Sequence, residues 1–138
     1  MSAFPITPPA AAGGVRVLLR LEGFALLLGA LALYAQSGAS WTLFAILFLV
    51  PDLSFAFYLF GTRIGAIAYN AVHSTLGPIL LVLASRVAAG QTSGLLPIAL
   101  IWFAHIGFDR ALGYGLKYAS GFGHTHLGVS GRTAPQAA

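Results

Sequence analysis

The sequence predicts an all-α integral membrane protein, an up-down four-helix bundle with both termini in the cytoplasm. Three observations predict it. Apolar residues make up 58% of the 138 positions and charged residues only 7%, against about 25% charged in a soluble domain. A chain so poor in charge cannot cover its own surface with polar groups, so lipid must be part of its solvent. Four apolar runs are long enough to cross a bilayer, which needs about 20 residues per helix. The basic residues are also distributed unevenly along the chain.

Residues 1–14, MSAFPITPPAAAGG, are rich in Pro and Ala and predict a flexible N-terminal segment. The transmembrane domain is expected over 15–127, with runs at 15–34, 41–61, 64–85 and 94–115. The first run reads as a span rather than a signal peptide, because Glu22 interrupts it and no good cleavage pattern follows. QSGAS (36–40), GTR (61–63) and AAGQTSG (88–94) separate the runs. They carry turn residues, and such short links force antiparallel neighbours. Pro51 and Pro78 predict kinks in the second and third helices. The domain closes with an interfacial C-terminal segment, whose Tyr114, Lys117, Tyr118 and Phe122 read as an interfacial belt. Residues 128–138 predict a disordered tail.

Four spans put both termini and the GTR link on one side. That side holds Arg16, Arg20, Arg63, Arg110, Lys117 and Arg132; the other holds only Arg86. The bias places the richer side in the cytoplasm and the chain in the cell inner membrane as a multi-pass protein. No basic run or phosphate loop points to nucleic acid. The absence of Cys excludes disulfides and iron–sulfur clusters. Membrane lipid is the expected partner. Gly65, Ala66 and Ala68 would permit close helix contact in a homo-oligomer.

All three acidic residues, Glu22, Asp52 and Asp109, fall inside the predicted spans. A carboxylate at a helix centre costs about 2.5–3.5 kcal/mol on insertion scales, and such residues turn inward. Counted along the runs, Asp52, His73 and His105 reach one depth, with Asn70, Asp109 and Glu22 about a turn nearer the cytoplasm. Asn70 and His73 are i and i+3, and His105 and Asp109 are i and i+4, so each pair shares a helix face. Arg110 points elsewhere, to the headgroups or to Glu22.

Imidazole and carboxylate suit zinc, manganese or iron. Asp52, His73, His105 and Asp109 are therefore candidate ligands of a divalent metal, with Glu22 or Asp52 as general base. Asn70, His124 and His126 are candidate ligand-binding residues, the last two because the FGHTHLG tail could fold back over the pocket. Three alternatives stay open. One is a non-catalytic small membrane protein or transporter subunit whose cluster holds helices together or binds a ligand. Another is a proton relay. The third is haem, with His73 and His105 as axial ligands.

PDLSFAFYLFGTRIGAIAYNAVHS (51–74) and IWFAHIGFDRALGYGLKYASGFGHTHLG (101–128) resemble the small bacterial membrane proteins grouped as a domain of unknown function, DUF 4260. That resemblance implies a multi-helix membrane protein and no particular activity. Pro51-Asp52, Val72-His73-Ser74 and His105-x-x-x-Asp109 are also similar in order to motifs of membrane-bound metal-dependent hydrolases. This likeness implies the same four metal ligands and hydrolysis of a lipid-like or phosphoester substrate. The chain departs from that pattern at Leu53 and Ser54, where those hydrolases carry further Asp and His.

Overall fold

A computed structural model describes residues 9–88 and 94–129. The chain is mainly helical: α1 (Gly13–Ser37), α2 (Trp41–Phe48), a 3-10 segment (Val50–Phe60), α3 (Thr62–His73), α4 (Leu76–Val87) and α5 (Leu95–Leu112). A two-residue hairpin follows, β1 (His124–Thr125) paired antiparallel with β2 (Gly128–Val129). Three helical stretches, Gly13–Ser37, Trp41–Phe60 and Leu95–Leu112, are long and apolar enough to cross a membrane. A fourth results if Thr62–His73 and Leu76–Val87 count as one span bent by 41°. Residues 1–8, most of the 88–94 link and residues 130–138 of the expected tail lie outside the described residues. Gly128 and Val129, placed in that tail, form β2 instead.

The first and last runs form single helices ended by glycines. Gly38 (φ 72) and Gly113 (φ 93) occupy the left-handed region, where a Cβ is disfavoured. Ser40 then caps α2, its hydroxyl accepting from Thr42 N and Leu43 N. α5 is the central element. It carries Ala99, Leu100, Ile101, Ala104, His105, Ile106 and Gly107 into the interior. α1 lies against it where two glycines face each other: Gly23 meets the backbone at Arg110 and Ala111, and Gly107 meets Gly23 and Leu27. Such contacts let membrane helices approach closely. Tyr34, Leu100 and Ile101 form the apolar core at the other end.

The two middle runs break. In the second, Pro51 marks the change from α to 3-10 winding. Three residues per turn aligns positions i and i+3, so Asp52, Phe55 and Tyr58 share one face. Phe55 stacks toward Tyr69, and Tyr58 covers Gly65. In the third run the break falls at Ser74, whose backbone is extended (ψ 152), not at Pro78 as expected. Proline lacks the N–H that would bond the carbonyl four residues back, and its ring clashes with that carbonyl. The carbonyl four residues before Pro78 is that of Ser74. α5 satisfies the carbonyls freed there: Trp102 Nε1 donates to Val72 O at 2.6 Å, and Arg110 donates to His73 O at 3.5 Å.

Both described ends meet. Ala11 N donates to His126 O and Tyr118 Oη donates to Pro9 O. Gly65 and Ala66, offered by the sequence for contact between copies, are buried within the chain, Gly65 beneath the Tyr58 ring.

Candidate metal centre

Two breaks in helical regularity and the unbroken α5 bring four side chains to one point. The 3-10 segment supplies Asp52, the last residue of α3 is His73, and α5 supplies His105 and Asp109 one turn apart. One ligand atom from each lies within 4.8 Å of all the others. The side chains of His73 and His105 are 3% and 2% exposed, Asp109 15% and Asp52 37%. The cluster is therefore reached from the Asp52 side.

The distances have a pattern. His73 Nε2 and His105 Nε2 are 3.1 Å apart. Asp52 Oδ1 lies 3.5 and 3.4 Å from them, and Asp109 Oδ2 also 3.5 and 3.4 Å. A tetrahedron with ligands about 2.0–2.1 Å from its centre has edges of about 3.3–3.4 Å. The four His–Asp edges match that figure, the His73–His105 edge is shorter, and the Asp52–Asp109 edge lies within 4.8 Å.

Neighbouring groups orient the donors. His73 Nδ1 lies 2.9 Å from Tyr69 O, so it carries the proton and turns the Nε2 lone pair inward. The Tyr69 ring stacks on the His73 ring, and its hydroxyl donates to Asp109 Oδ2 at 3.4 Å. His105 packs edge-on against Phe48. Tyr69 was missed in the sequence. Its i, i+4 spacing to His73 was the available signal, but an apolar run hides one inward-facing aromatic among many.

Lys117, expected in an interfacial belt, is instead buried, with Nζ 3.8 Å from the centroid of Phe122 and 4.8 Å from that of Tyr69, donating to Phe122 O. Burial holds its ammonium below the ordinary lysine range, and Asp109 pulls the other way. Phe122, the neighbour of Phe55 and Tyr58, brings the C-terminal segment over this end of the cluster.

Four other candidate residues stand outside the cluster. Glu22 is exposed on α1, because Gly23, one position on, is the residue turned to α5. It makes no ion pair among the described residues, and Arg110 reaches the His73 carbonyl rather than Glu22. Asn70 exchanges two hydrogen bonds with the Lys117 backbone, at 2.8 and 2.7 Å, and so ties α3 to the C-terminal segment. His126 Nδ1 accepts from Leu116 N at 2.9 Å, and His124 Nδ1 lies 2.9 Å from Ser120 Oγ. The C-terminal segment packs through Lys117 and Phe122 on Phe55, Tyr58 and Tyr69, while His124 and His126 hydrogen-bond within the segment.

The domain-of-unknown-function profile DUF4260 matches residues 16–129. The chain belongs to the DUF4260 family. The match takes in every element from α1 to β2, and so the whole His/Asp cluster of this DUF4260 protein. No curated protein and no solved structure matches the chain. The likeness to metal-dependent hydrolases rests on the short motifs alone.

Proposed function

We propose that this DUF4260 protein holds one divalent metal ion inside the membrane between Asp52, His73, His105 and Asp109, and hydrolyses a lipid-like phosphoester there. The observation that carries this reading is the convergence of acceptors. With the His73 proton on Nδ1, its Nε2 and two carboxylate oxygens aim at one point, together with His105 Nε2. A neutral His105 brings at most one proton to that point, and the Tyr69 hydroxyl brings a second, to Asp109 Oδ2. Together these leave at least one acceptor unmatched, whereas one cation satisfies all four. Two carboxylates also cancel the charge of a divalent ion, which removes most of the penalty of holding it in an apolar medium.

The donor set suits zinc, manganese or iron. The bound ion would supply Lewis-acid chemistry, polarising the ester and acidifying a water. The residues divide the remaining work. His73, His105 and Asp109, the three buried donors, hold the ion. Asp52 is the exposed donor, next to the open side; it is the ligand that would yield its place to the attacking water and then act as general base toward it. Tyr69 fixes both His73 and Asp109.

The setting of the reaction is part of the proposal. The chain crosses the inner membrane four times, with α3 and α4 as one bent span and both termini cytoplasmic. The mutual hydrogen bonds of the Pro9–Ala11 and Tyr118–His126 regions support an even number of crossings. The contact of Tyr58, near the 61–63 link, with Phe122 supports placing that link on the same side.

The test is elemental analysis of detergent-purified protein made without chelators. About one zinc, manganese or iron per chain, lost in His105→Ala while the protein stays folded, is the expected result. No metal in either protein, after an attempt at reloading, overturns it. The 3.1 Å contact between the two Nε2 atoms favours the second reading, a proton-sharing cluster that holds helices together. In that case His105→Ala lowers thermal stability and metal content is nil throughout.

A further inference from the structure

Next to the His/Asp cluster, on its α5 N-terminal side, runs an apolar groove of about 440 Å³. Pro51, Ser54 and Phe57, one face of the 3-10 segment, form one wall; Val72, Ile101 and Trp102 form the other. The groove's lining adjoins the cluster along the chain in three places: Pro51 precedes Asp52, Val72 precedes His73, and Ile101 lies one turn before His105. Trp102 spends its N–H on the Val72 carbonyl, so its ring offers the groove only carbon.

One polar side chain belongs to this lining: Ser54 is 9% exposed, and its Oγ has no hydrogen-bond partner among the described residues and is closed off from the groove, so a ligand reaches it only when the side chain turns about χ1. A serine inside a helix ordinarily bonds back to a carbonyl three or four residues earlier. A buried hydroxyl left unpaired keeps the full penalty of its lost hydration. A ligand that brings one acceptor into an otherwise hydrocarbon slot would remove that penalty.

We infer that the groove is an acyl-chain site, and that Ser54 Oγ donates to the ester carbonyl joining that chain to its head group. The ligand is an acyl-ester amphiphile drawn from the surrounding bilayer. Its chain lies along Phe57, Ile101 and Trp102, its carbonyl meets Ser54, and its head extends past Pro51 to Asp52. This rests on the metal-site reading only for what happens to the head group. The chain and carbonyl contacts stand without it.

The experiment uses Trp102 as the reporter. The chain has two tryptophans, so Trp41→Phe leaves Trp102 as the only one. The full-length protein, in an unbrominated detergent, is titrated with a lysophospholipid whose ester-linked chain is brominated. A second titration uses the ether-linked counterpart with the same chain. The expected result is saturable quenching, with the ester bound about fivefold more tightly than the ether, the difference one ordinary hydrogen bond makes. Ser54→Ala should weaken the ester about fivefold and leave the ether unchanged, which also shows that the variant is folded. Quenching that rises without saturation, or equal affinity for ester and ether in the Trp41→Phe protein, overturns the inference. Metal content measured on the same samples separates the two readings. Selective, saturable quenching without metal supports the groove and removes the hydrolase; stoichiometric metal without saturable quenching does the reverse.

Discussion

The His73 imidazole lies flat on the Tyr69 ring, with centroids 3.7 Å apart and planes 9° from parallel. The two residues are one helical turn apart, and Tyr69 holds its neighbour twice, by ring stacking and by its carbonyl. Its hydroxyl extends the hold to Asp109 on another helix. Tyr69→Phe keeps the ring and removes only that last hydrogen bond. Outer-shell partners of this kind are worth about 10- to 100-fold in metal affinity. The expected outcome is about a tenfold weaker metal affinity in chelator competition, with helicity unchanged.

Asn70 pairs with the Lys117 backbone as a neighbouring strand would. Asn70→Ala leaves the buried Lys117 N–H and carbonyl without partners, at a cost of about 1–3 kcal/mol each. Hydrogen exchange should show the Lys117 amide losing at least tenfold in protection, while α1 and α5 keep theirs.

Gly107 gives a prediction whose sign is informative. A Cβ there would sit 2.6 Å from Leu27 N and 2.7 Å from Gly23 O, both backbone atoms of α1. In an exposed helix Gly→Ala stabilises by up to about 1 kcal/mol. Here it must push two helices apart, and a cost of about 1–3 kcal/mol is expected. A thermal melt in detergent should show Gly107→Ala below wild type and Gly29→Ala, which meets nothing within 4 Å, at or above it.

His126 makes the hairpin sensitive to pH. Burial, with the Arg110 charge adding to it, pushes its imidazole below the ordinary value of 6.5. The neutral ring is also the one whose Nδ1 can accept from Leu116 N–H. Above about pH 6.5 the ring is neutral folded or unfolded, and the hairpin keeps its full stability. As pH falls below that value the unfolded segment takes up the proton first, so stability drops until the folded ring is protonated too. Protection of the Leu116 amide should therefore fall with decreasing pH over that window. His126→Gln should flatten the profile.

Much of the cluster was legible in the chain. Asp52, His73, His105 and Asp109 are costly in an apolar run, and that cost turns each of them inward whatever the details of packing. Counting along helices could not say which other polar groups join them. Depth is a one-dimensional quantity, while membership of a site also needs the direction in which a side chain points around its helix. Glu22 has the right depth and the wrong direction. Tyr69 has the right direction but carries no charge to advertise it. The expected separation of Asp109 from His105 into two layers also disappears, because both side chains reach toward the same point between their turns.

The sequence by itself determined that the chain is helical and apolar, where its runs lie, and which four His and Asp side chains are candidates for one cluster. Those outcomes depend on residue type and spacing alone. Only the tertiary structure decided that the third run breaks at Ser74, that the second continues past Pro51 in 3-10 winding that aligns Asp52 with Phe55 and Tyr58, and that Lys117 is buried among aromatic rings. For the break at Ser74 the physical reason lies in the packing. A broken helix releases carbonyls that a membrane cannot hydrate, so a break is tolerated only where another segment supplies donors. Trp102 and Arg110 of α5 supply them beside Val72 and His73, some 30 positions away in the chain.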